Sequence, residues 1–411
     1  VSFTNLRLIE PVLTALRHEG YETPTPIQQQ AIPAILDEND ILGCAQTGTG
    51  KTAAFVIPIL QLIHEQQTKK EFRPLSTLIL SPTRELAIQI GESIQAYGRF
   101  MKVKSTVIYG GVSQHSQVHS IRQGTDILVA TPGRLLDLLK QGHISLRHIR
   151  YFVLDEADRM LDMGFVDDVK RIIAQLPMRR QTLFFSATIP PRIQQLADSL
   201  LNNPVKVQVT PVSSTVEKVK QAVYFTEKQH KQSLLTHLLN TENMESVIVF
   251  TQMKHAADKI ARHLNKSGIR ADAIHGNKSQ IQRQAALENF KNRKSRVLVA
   301  TDIAARGIDV DNLSHVINFE LPQTAETYVH RIGRTGRAGS EGTAMSFCDW
   351  TEKVALADIQ KLIKKSIPII EGHPFDLKSM HSVNLKETPR PLIHPRAQGM
   401  RKKQGRTFAQ R

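Results

Sequence analysis

Ala45-Gln46-Thr47-Gly48-Thr49-Gly50-Lys51-Thr52 is the stretch on which the fold turns. Its glycines let backbone N–H groups converge on phosphate oxygens at the start of a helix. Lys51 adds a point charge for the β- and γ-phosphates, and the Thr52 hydroxyl suits a magnesium ion. The general phosphate-loop pattern wants Gly at the first position, where this chain has Ala45. A glycine-containing turn before an ordinary helix would leave Lys-Thr in that register unexplained.

The second informative stretch is Asp155-Glu156-Ala157-Asp158, directly after the apolar run Tyr151-Phe152-Val153-Leu154. Asp155 ends a strand, where open α/β sheets present their ligands. It suits magnesium, partly through water. Glu156 can orient and deprotonate an attacking water. An Asp-Glu pair alone is by default a solvated turn; a phosphate loop in the same half raises it to a catalytic pair.

Around these segments, short β-branched runs alternate with helix-length amphipathic stretches. Strands are expected at 75–81, 105–109, 126–130, 151–155, 181–186 and 205–209, then at 221–225, 246–251, 271–275, 296–301, 315–318 and 342–347. Near-continuous apolar strands separated by helices imply parallel sheets covered on both faces. The pattern runs twice, so the fold class is α/β with two domains, as 411 residues also suggest. The boundaries are expected at 1–209 for the first domain and 218–370 for the second. A linker at 210–217 carries Pro211-Val212-Ser213-Ser214-Thr215. Periodicity fades beyond Pro368, so 371–411 should be an extended or disordered basic tail.

Composition narrows the partners. The net charge of +16 points to a polyanion, most commonly nucleic acid. The segment from Lys386 onward holds eight basic residues against Glu387, so the body is basic as well as the tail. Aromatics are 5%, which favours electrostatic tracking of a backbone over extensive base stacking. No apolar run is long enough to cross a bilayer and Val1-Ser2-Phe3-Thr4 opens no leader pattern, so a cytoplasmic protein without membrane contact is expected. Cys44 and Cys348 show no metal-ligand spacing and fit reduced thiols.

The base is specified by Phe3, Tyr21 and Thr23-Pro24-Thr25-Pro26-Ile27-Gln28. The Gln28 amide offers one donor and one acceptor, matching adenine N6–H and N7 and selecting against guanine. Phe3 and Tyr21 could sandwich the ring. In the second half, His330-Arg331-Ile332-Gly333-Arg334-Thr335-Gly336-Arg337 spaces three arginines by three. Arg334 and Arg337 suit the charge that builds on a γ-phosphate in the transition state; a basic turn on a nucleic-acid face is the plainer alternative. Ala300-Thr301-Asp302-Ile303-Ala304-Ala305-Arg306-Gly307-Ile308-Asp309 adds Gly307 and Asp309, the latter a ribose-hydroxyl acceptor.

Taken in order, these segments resemble the DEAD-box RNA helicases of superfamily 2 over residues 1 to about 365. Pro82-Thr83-Arg84-Glu85-Leu86, Gly110-Gly111, Thr131-Pro132-Gly133-Arg134 and Ser186-Ala187-Thr188 complete the set. The loop Ala-x-Thr-Gly-x-Gly-Lys-Thr is that family's own form, which accounts for Ala45. The wording around Thr25–Pro33 and His275-Gly276-Asn277-Lys278-Ser279-Gln280 looks most like the bacterial RhlE subgroup. The resemblance implies two tandem RecA-like domains, with ATP and Mg2+ between them and RNA across both. It also implies sequence-nonspecific RNA contacts from Pro82, Thr83, Arg84, Gly111, Thr131, Gly133, Arg134, Thr251, His275, Gly276, Gln280, Arg283 and Thr301. Ser186, Thr188, Asp158 and His330 would couple the nucleotide site to closure. The expected activity is ATP-dependent strand separation by a monomer, in ribosomal-precursor or RNA-decay complexes. An ATP-gated RNA clamp and a DNA-dependent ATPase are the rivals.

Overall fold

A computed structural model describes residues 2–46, 48–67, 74–209, 219–305, 313–336 and 342–376. Seven strands make the first sheet: β1 Ile41–Cys44, β2 Thr77–Leu80, β3 Ser105–Ile108, β4 Ile127–Ala130, β5 Tyr151–Leu154, β6 Gln181–Ser186 and β7 Val205–Gln208. Their order is β3-β4-β2-β5-β6-β1-β7, and every pairing is parallel. Six more make the second: β8 Val219–Phe225, β9 Val247–Phe250, β10 Ala271–Ile274, β11 Val297–Ala300, β12 His315–Asn318 and β13 Gly342–Cys348. Their order is β10-β11-β9-β12-β13-β8, again all parallel. This is the pair of RecA-like sheets that the sequence resemblance implies.

The alternation of apolar side chains explains why both sheets are buried on two faces. In β5, Val153 enters one core with Ile79, Leu183 and Phe185, while Phe152 and Leu154 enter another with Leu78, Leu80 and Phe184. Lobe two repeats the scheme, with Ile248 and Leu298 on one side and Val247, Val249, Val297 and Val299 on the other. Parallel strands also put all their C-terminal ends on one edge, and that edge carries most of the functional candidates.

One strand is absent from the expected set. β1, immediately before the phosphate loop, contains Gly43, where a Cβ would come within 2.5 Å of the Phe185 ring. The glycine is there for close packing of β1 on β6, yet in sequence it reads as punctuation. The expected linker falls on 210–218 and most of the expected tail on 377–411, outside the described residues. Residues 371–376, counted with the tail, pack on lobe two: His373 lies 5.5 Å from the Tyr224 ring and Phe375 6.1 Å from His230. Cys44 is half-buried and Cys348 buried, both unbridged. Among the described residues no helix is long and apolar enough to cross a membrane.

Candidate active site and nucleic-acid interface

The loop leaves the end of β1, where the Ala45 N–H donates to the Ser186 carbonyl at 3.0 Å. Gly48 and Gly50 have φ of +82° and +92°, a region glycine enters without strain. Gly50 is needed for space as well: a Cβ there would sit 2.5 Å from Gln28 Nε2. The Thr49 hydroxyl donates to the Gln46 carbonyl at 2.7 Å, closing the turn. Lys51 opens the helix Lys51–Gln67, is buried, and donates from Nζ to the Ala45 carbonyl at 2.6 Å. Thr52 follows, half-buried. Thr47 lies outside the described residues.

Gln28 is buried in the first turn of the helix Pro26–Leu36. Its Oε1 accepts from the Thr25 N–H at 2.9 Å and its Nε2 donates to the Gly50 carbonyl at 3.2 Å. The amide therefore ties the start of the helix Pro26–Leu36 to the phosphate loop. The aromatic sandwich is not formed. Phe3 is buried in the core, and its ring meets Tyr21 edge-on, at 87° and 6.3 Å between centroids. Tyr21 turns its hydroxyl to that of Tyr97 at 3.0 Å. Two perpendicular rings in contact leave no slot between parallel faces. Thr23 is exposed beside them.

Asp155 follows β5, buried, and its Oδ1 accepts from the Glu156 N–H at 3.0 Å. Burial first, and the neighbouring Glu156 charge second, push its carboxyl well above the usual range, with Lys51 opposing. Glu156 has φ +53°, a left-handed conformation uncommon for a residue with a Cβ. Its carboxylate is paired with Arg159, one turn along the helix Ala157–Asp162. Arg159 had no place in the sequence expectation, although i,i+3 spacing on a helix is the signal for such a pair.

Asp158 lies at the meeting of several parts. Its Oδ2 accepts from the Thr188 N–H and the Thr188 hydroxyl, both at 2.9 Å. Its own N–H donates to Ser186 Oγ at 3.2 Å, and that hydroxyl donates to the Thr188 carbonyl at 2.7 Å. Burial raises the Asp158 carboxyl, but Lys51, Thr188, His330 and Ser186 together hold it below the usual range. His330 belongs to lobe two, so a charge from one lobe acts on a carboxylate of the other.

Two of the three spaced arginines lie among the described residues. Arg331 is buried and grips Asp302 through Nε and Nη2 at 2.6 and 2.8 Å. Its Nη1 reaches Asn318 Oδ1 at 3.0 Å and the Glu320 carbonyl at 2.6 Å, while the guanidinium lies 5.0 Å from the Phe250 ring centroid. It is a structural bolt through four elements. Arg334, one turn on, is buried at the end of the helix Ala325–Ile332. Gly307, Asp309 and Arg337 fall outside the described residues.

The expected RNA positions gather on the strand-end edges. Pro82 and Thr83 follow β2, and Thr83 Oγ1 caps the helix Arg84–Tyr97 by accepting from the Leu86 N–H at 3.3 Å. The Arg84 guanidinium lies on Gly111, where a Cβ would be only 2.2 Å from Nη1. Thr131 caps the helix Pro132–Lys140, Gly133 is exposed in its first turn, and Arg134 donates to Gln117 Oε1 at 3.0 Å and to the Val112 carbonyl at 2.9 Å. On lobe two Thr251 donates to Glu320 Oε2 at 2.8 Å, and Thr301 is buried after β11. His275 is buried with Nε2 3.0 Å from Asp258 Oδ2, and its Nδ1 accepts from the Asn277 N–H at 3.3 Å; Gly276 between them is exposed.

Gln280 and Arg283 do something the sequence did not suggest. Gln280 Nε2 and Arg283 Nε donate to the same oxygen of Glu85, at 3.1 and 2.8 Å. Glu85 belongs to lobe one and is buried. The two candidate RNA contacts of lobe two are thus also a contact between lobes.

A phosphate loop and paired carboxylates on one parallel sheet, with Gln280 and Arg283 of a second lobe reaching Glu85 of the first, define a two-lobed nucleotide-hydrolysing enzyme. The family profile described as DEAD/DEAH box helicase matches residues 25–196, and that of the helicase conserved C-terminal domain matches 230–339. The DEAD-box ATP-dependent RNA helicase RhpA of Helicobacter pylori is 40% identical over 390 residues, covering 94% of this chain and 78% of the relative. ATP-dependent RNA helicase DbpA of Bacillus subtilis is 42% identical, covering 90% and 76%. Among solved structures, S. cerevisiae Dbp5 bound to RNA and ADP BeF3 aligns with a TM-score of 0.79 at 31% identity, covering 90% of this chain and 95% of that one. The chain belongs to the DEAD-box ATP-dependent RNA helicase family, a family of RNA-dependent ATPases.

Proposed function

We propose that this protein separates short RNA duplexes, or remodels RNA–protein complexes, by ATP-driven closure of its two lobes on one RNA strand. The observation that carries the proposal is Glu85 of lobe one accepting from both Gln280 and Arg283 of lobe two. It joins the lobes along the edge where the candidate RNA residues lie. A DEAD box protein from Methanococcus jannaschii, at 38% identity, aligns with a TM-score of only 0.53, against 0.79 for RNA-bound Dbp5.

In this reading Gln28 selects the adenine, while Gln46, Thr47, Gly48, Thr49, Gly50 and Lys51 hold the phosphates. Thr52 and Asp155 offer the few hard oxygen ligands that suit magnesium, an ion that takes its remaining ligands from phosphate and water. An ion held by these residues would supply neutralising charge to the phosphates. Glu156, held by Arg159, orients the attacking water, and Arg334 with Arg337 offsets charge in the transition state. Gly307 and Asp309 would meet the ribose. The groove accepts one strand in a path a duplex cannot follow, so the difference in binding between the two forms drives separation.

The proposed boundaries are 1–209, 210–217 and 218–370, with 371–376, which pack on lobe two, moved from the tail to the second domain. Membership of the RhlE subgroup, a monomeric state, cytoplasmic location and work in ribosome assembly or RNA turnover belong to the same proposal. A strand-displacement assay tests its centre. Duplex loss with ATP is expected, and ATP turnover should respond to RNA far more than to DNA. Stable RNA retention with no duplex loss would favour a clamp, and equal stimulation by DNA would remove the RNA assignment.

A further inference from the structure

Trp350 is the chain's single tryptophan, and it stands 56% exposed. It opens the short 3-10 turn Trp350–Glu352 directly after β13. All strands of the second sheet are parallel, so β13 ends on the same edge as β9, β10 and β11, which lead into Thr251, His275 and Thr301. Only β12 separates β9 from β13. Trp350 therefore stands two strands over from Thr251, roughly 10 Å sideways, and also beyond its level along the strand direction, because Ser346 is already level with Phe250.

A continuous set of hydrogen bonds joins the two places. Glu320 Oε2 accepts from the Thr251 hydroxyl at 2.8 Å and from the Gln252 N–H at 2.7 Å. The next residue, Leu321, donates its N–H to Glu352 Oε1 at 2.9 Å. Glu352 Oε2 accepts from the Asp349 N–H at 3.0 Å and pairs with the buried Lys231. Lys231 also lies 3.2 Å from Asp349 Oδ2. The turn carrying Trp350 is thus rigidly referred to Thr251.

The surroundings indicate what the ring meets. Lys353 Nζ lies 4.0 Å from the Trp350 ring centroid, a cation held against one face. Val354, 74% exposed, continues the surface onto the helix Lys353–Ile363. Lys361 is exposed in its last turn and Lys364 and Lys365 are exposed just past its end, against Asp358. A buried protein interface would be depleted of lysine at its centre. An exposed aromatic among lysines matches a single-stranded nucleic acid, whose bases stack and whose phosphates take the ammonium groups.

We infer that Trp350, with Lys353 and the exposed Lys361, Lys364 and Lys365 at the far end of its helix, forms a second stacking and phosphate site for single-stranded RNA on lobe two. It continues the path past Thr251, and it rests on the reading of that edge as RNA-binding. RNA long enough to pass Thr251 reaches it; shorter RNA does not.

Because there is one tryptophan, intrinsic fluorescence reports this site alone. The full chain is titrated with single-stranded RNA of about six and about twelve nucleotides, within the span of known stacking platforms. The longer RNA should quench the signal and bind roughly tenfold more tightly, about 1.4 kcal/mol of stacking. Trp350→Ala should abolish that advantage and Trp350→Phe should keep most of it, with thermal melting to confirm the fold. Replacing Lys361 and Lys365 together by Gln should lower the salt slope for the longer RNA by about one to two. Equal quenching by the shorter RNA would report lobe closure and overturn the site. So would a Trp350→Ala protein that still prefers the longer RNA. If neither RNA binds, the RNA reading of the edge has failed and this site with it.

Discussion

Asp158 holds Thr188 at two points, accepting from its backbone N–H and its hydroxyl at 2.9 Å each. The pair links the carboxylate segment after β5 to the end of β6, and His330 of lobe two bears on the same carboxylate. A change at the nucleotide thus has a short route to the contact between lobes. Thr188→Val removes the hydroxyl bond and keeps the backbone one. Hydrogen bonds to charged groups contribute about 1.5–3 kcal/mol, so duplex separated per ATP hydrolysed should fall roughly tenfold or more. ATP affinity should change little. A ratio equal to the parent's, measured by paired displacement and phosphate-release assays, would reduce this bond to scaffolding.

Glu156→Gln keeps the side chain's shape and removes its basicity. Hydrolysis should drop by about 10²–10⁴-fold, the usual contribution of a positioned base, with ATP and RNA still bound. Single-turnover phosphate release checks the rate and filter binding checks the trapped complex. Arg159→Gln should cost less, since Arg159 positions Glu156 rather than touching water. Near-normal turnover of Glu156→Gln would remove Glu156 from the chemistry.

Neighbouring arginines should fail differently. Arg331→Ala leaves Asp302 without its buried partner, and breaking such a pair typically costs about 3–5 kcal/mol. Its first readout is therefore a lowered Tm. Arg334→Ala should lower hydrolysis by about 10³-fold or more with a much smaller loss of stability. Calorimetry beside steady-state ATPase separates them; the reverse pattern would exchange their roles.

These pairings mark the limit of what the chain's order discloses. The phosphate loop, the carboxylate pair and the two parallel sheets were legible because local pattern dictates them: glycines at positive φ, apolar runs with period two, and Lys-Thr in register. β1 was not, since Gly43 serves packing against Phe185 far away in sequence. The partners of Arg331 were equally hidden, because equal spacing says nothing of which guanidinium meets Asp302 and Asn318. Phe3 and Tyr21, expected as a pair that could sandwich a base, meet each other as perpendicular rings, with Phe3 set by the core behind it. Long-range partners such as Glu85 for Arg283 exist only once both lobes are folded.

Glu85 provides the sharpest test of that last point. Its carboxylate is buried and holds Gln280 and Arg283 of the other lobe, the same residues expected to meet RNA. A contact made only between lobes adds nothing to either lobe by itself. Glu85→Ala should therefore leave the melting of a separately expressed first lobe within about 0.5–1 kcal/mol of the parent, apart from small helix effects. In the whole protein it removes a contact that closure makes between the lobes, so RNA-stimulated turnover should fall roughly tenfold through a higher RNA requirement, the scale of one charge-assisted bond. ATP turnover without RNA should move little. If instead the isolated lobe loses several kcal/mol, Glu85 is a core residue of lobe one, and its bonds to lobe two follow from closure without favouring it.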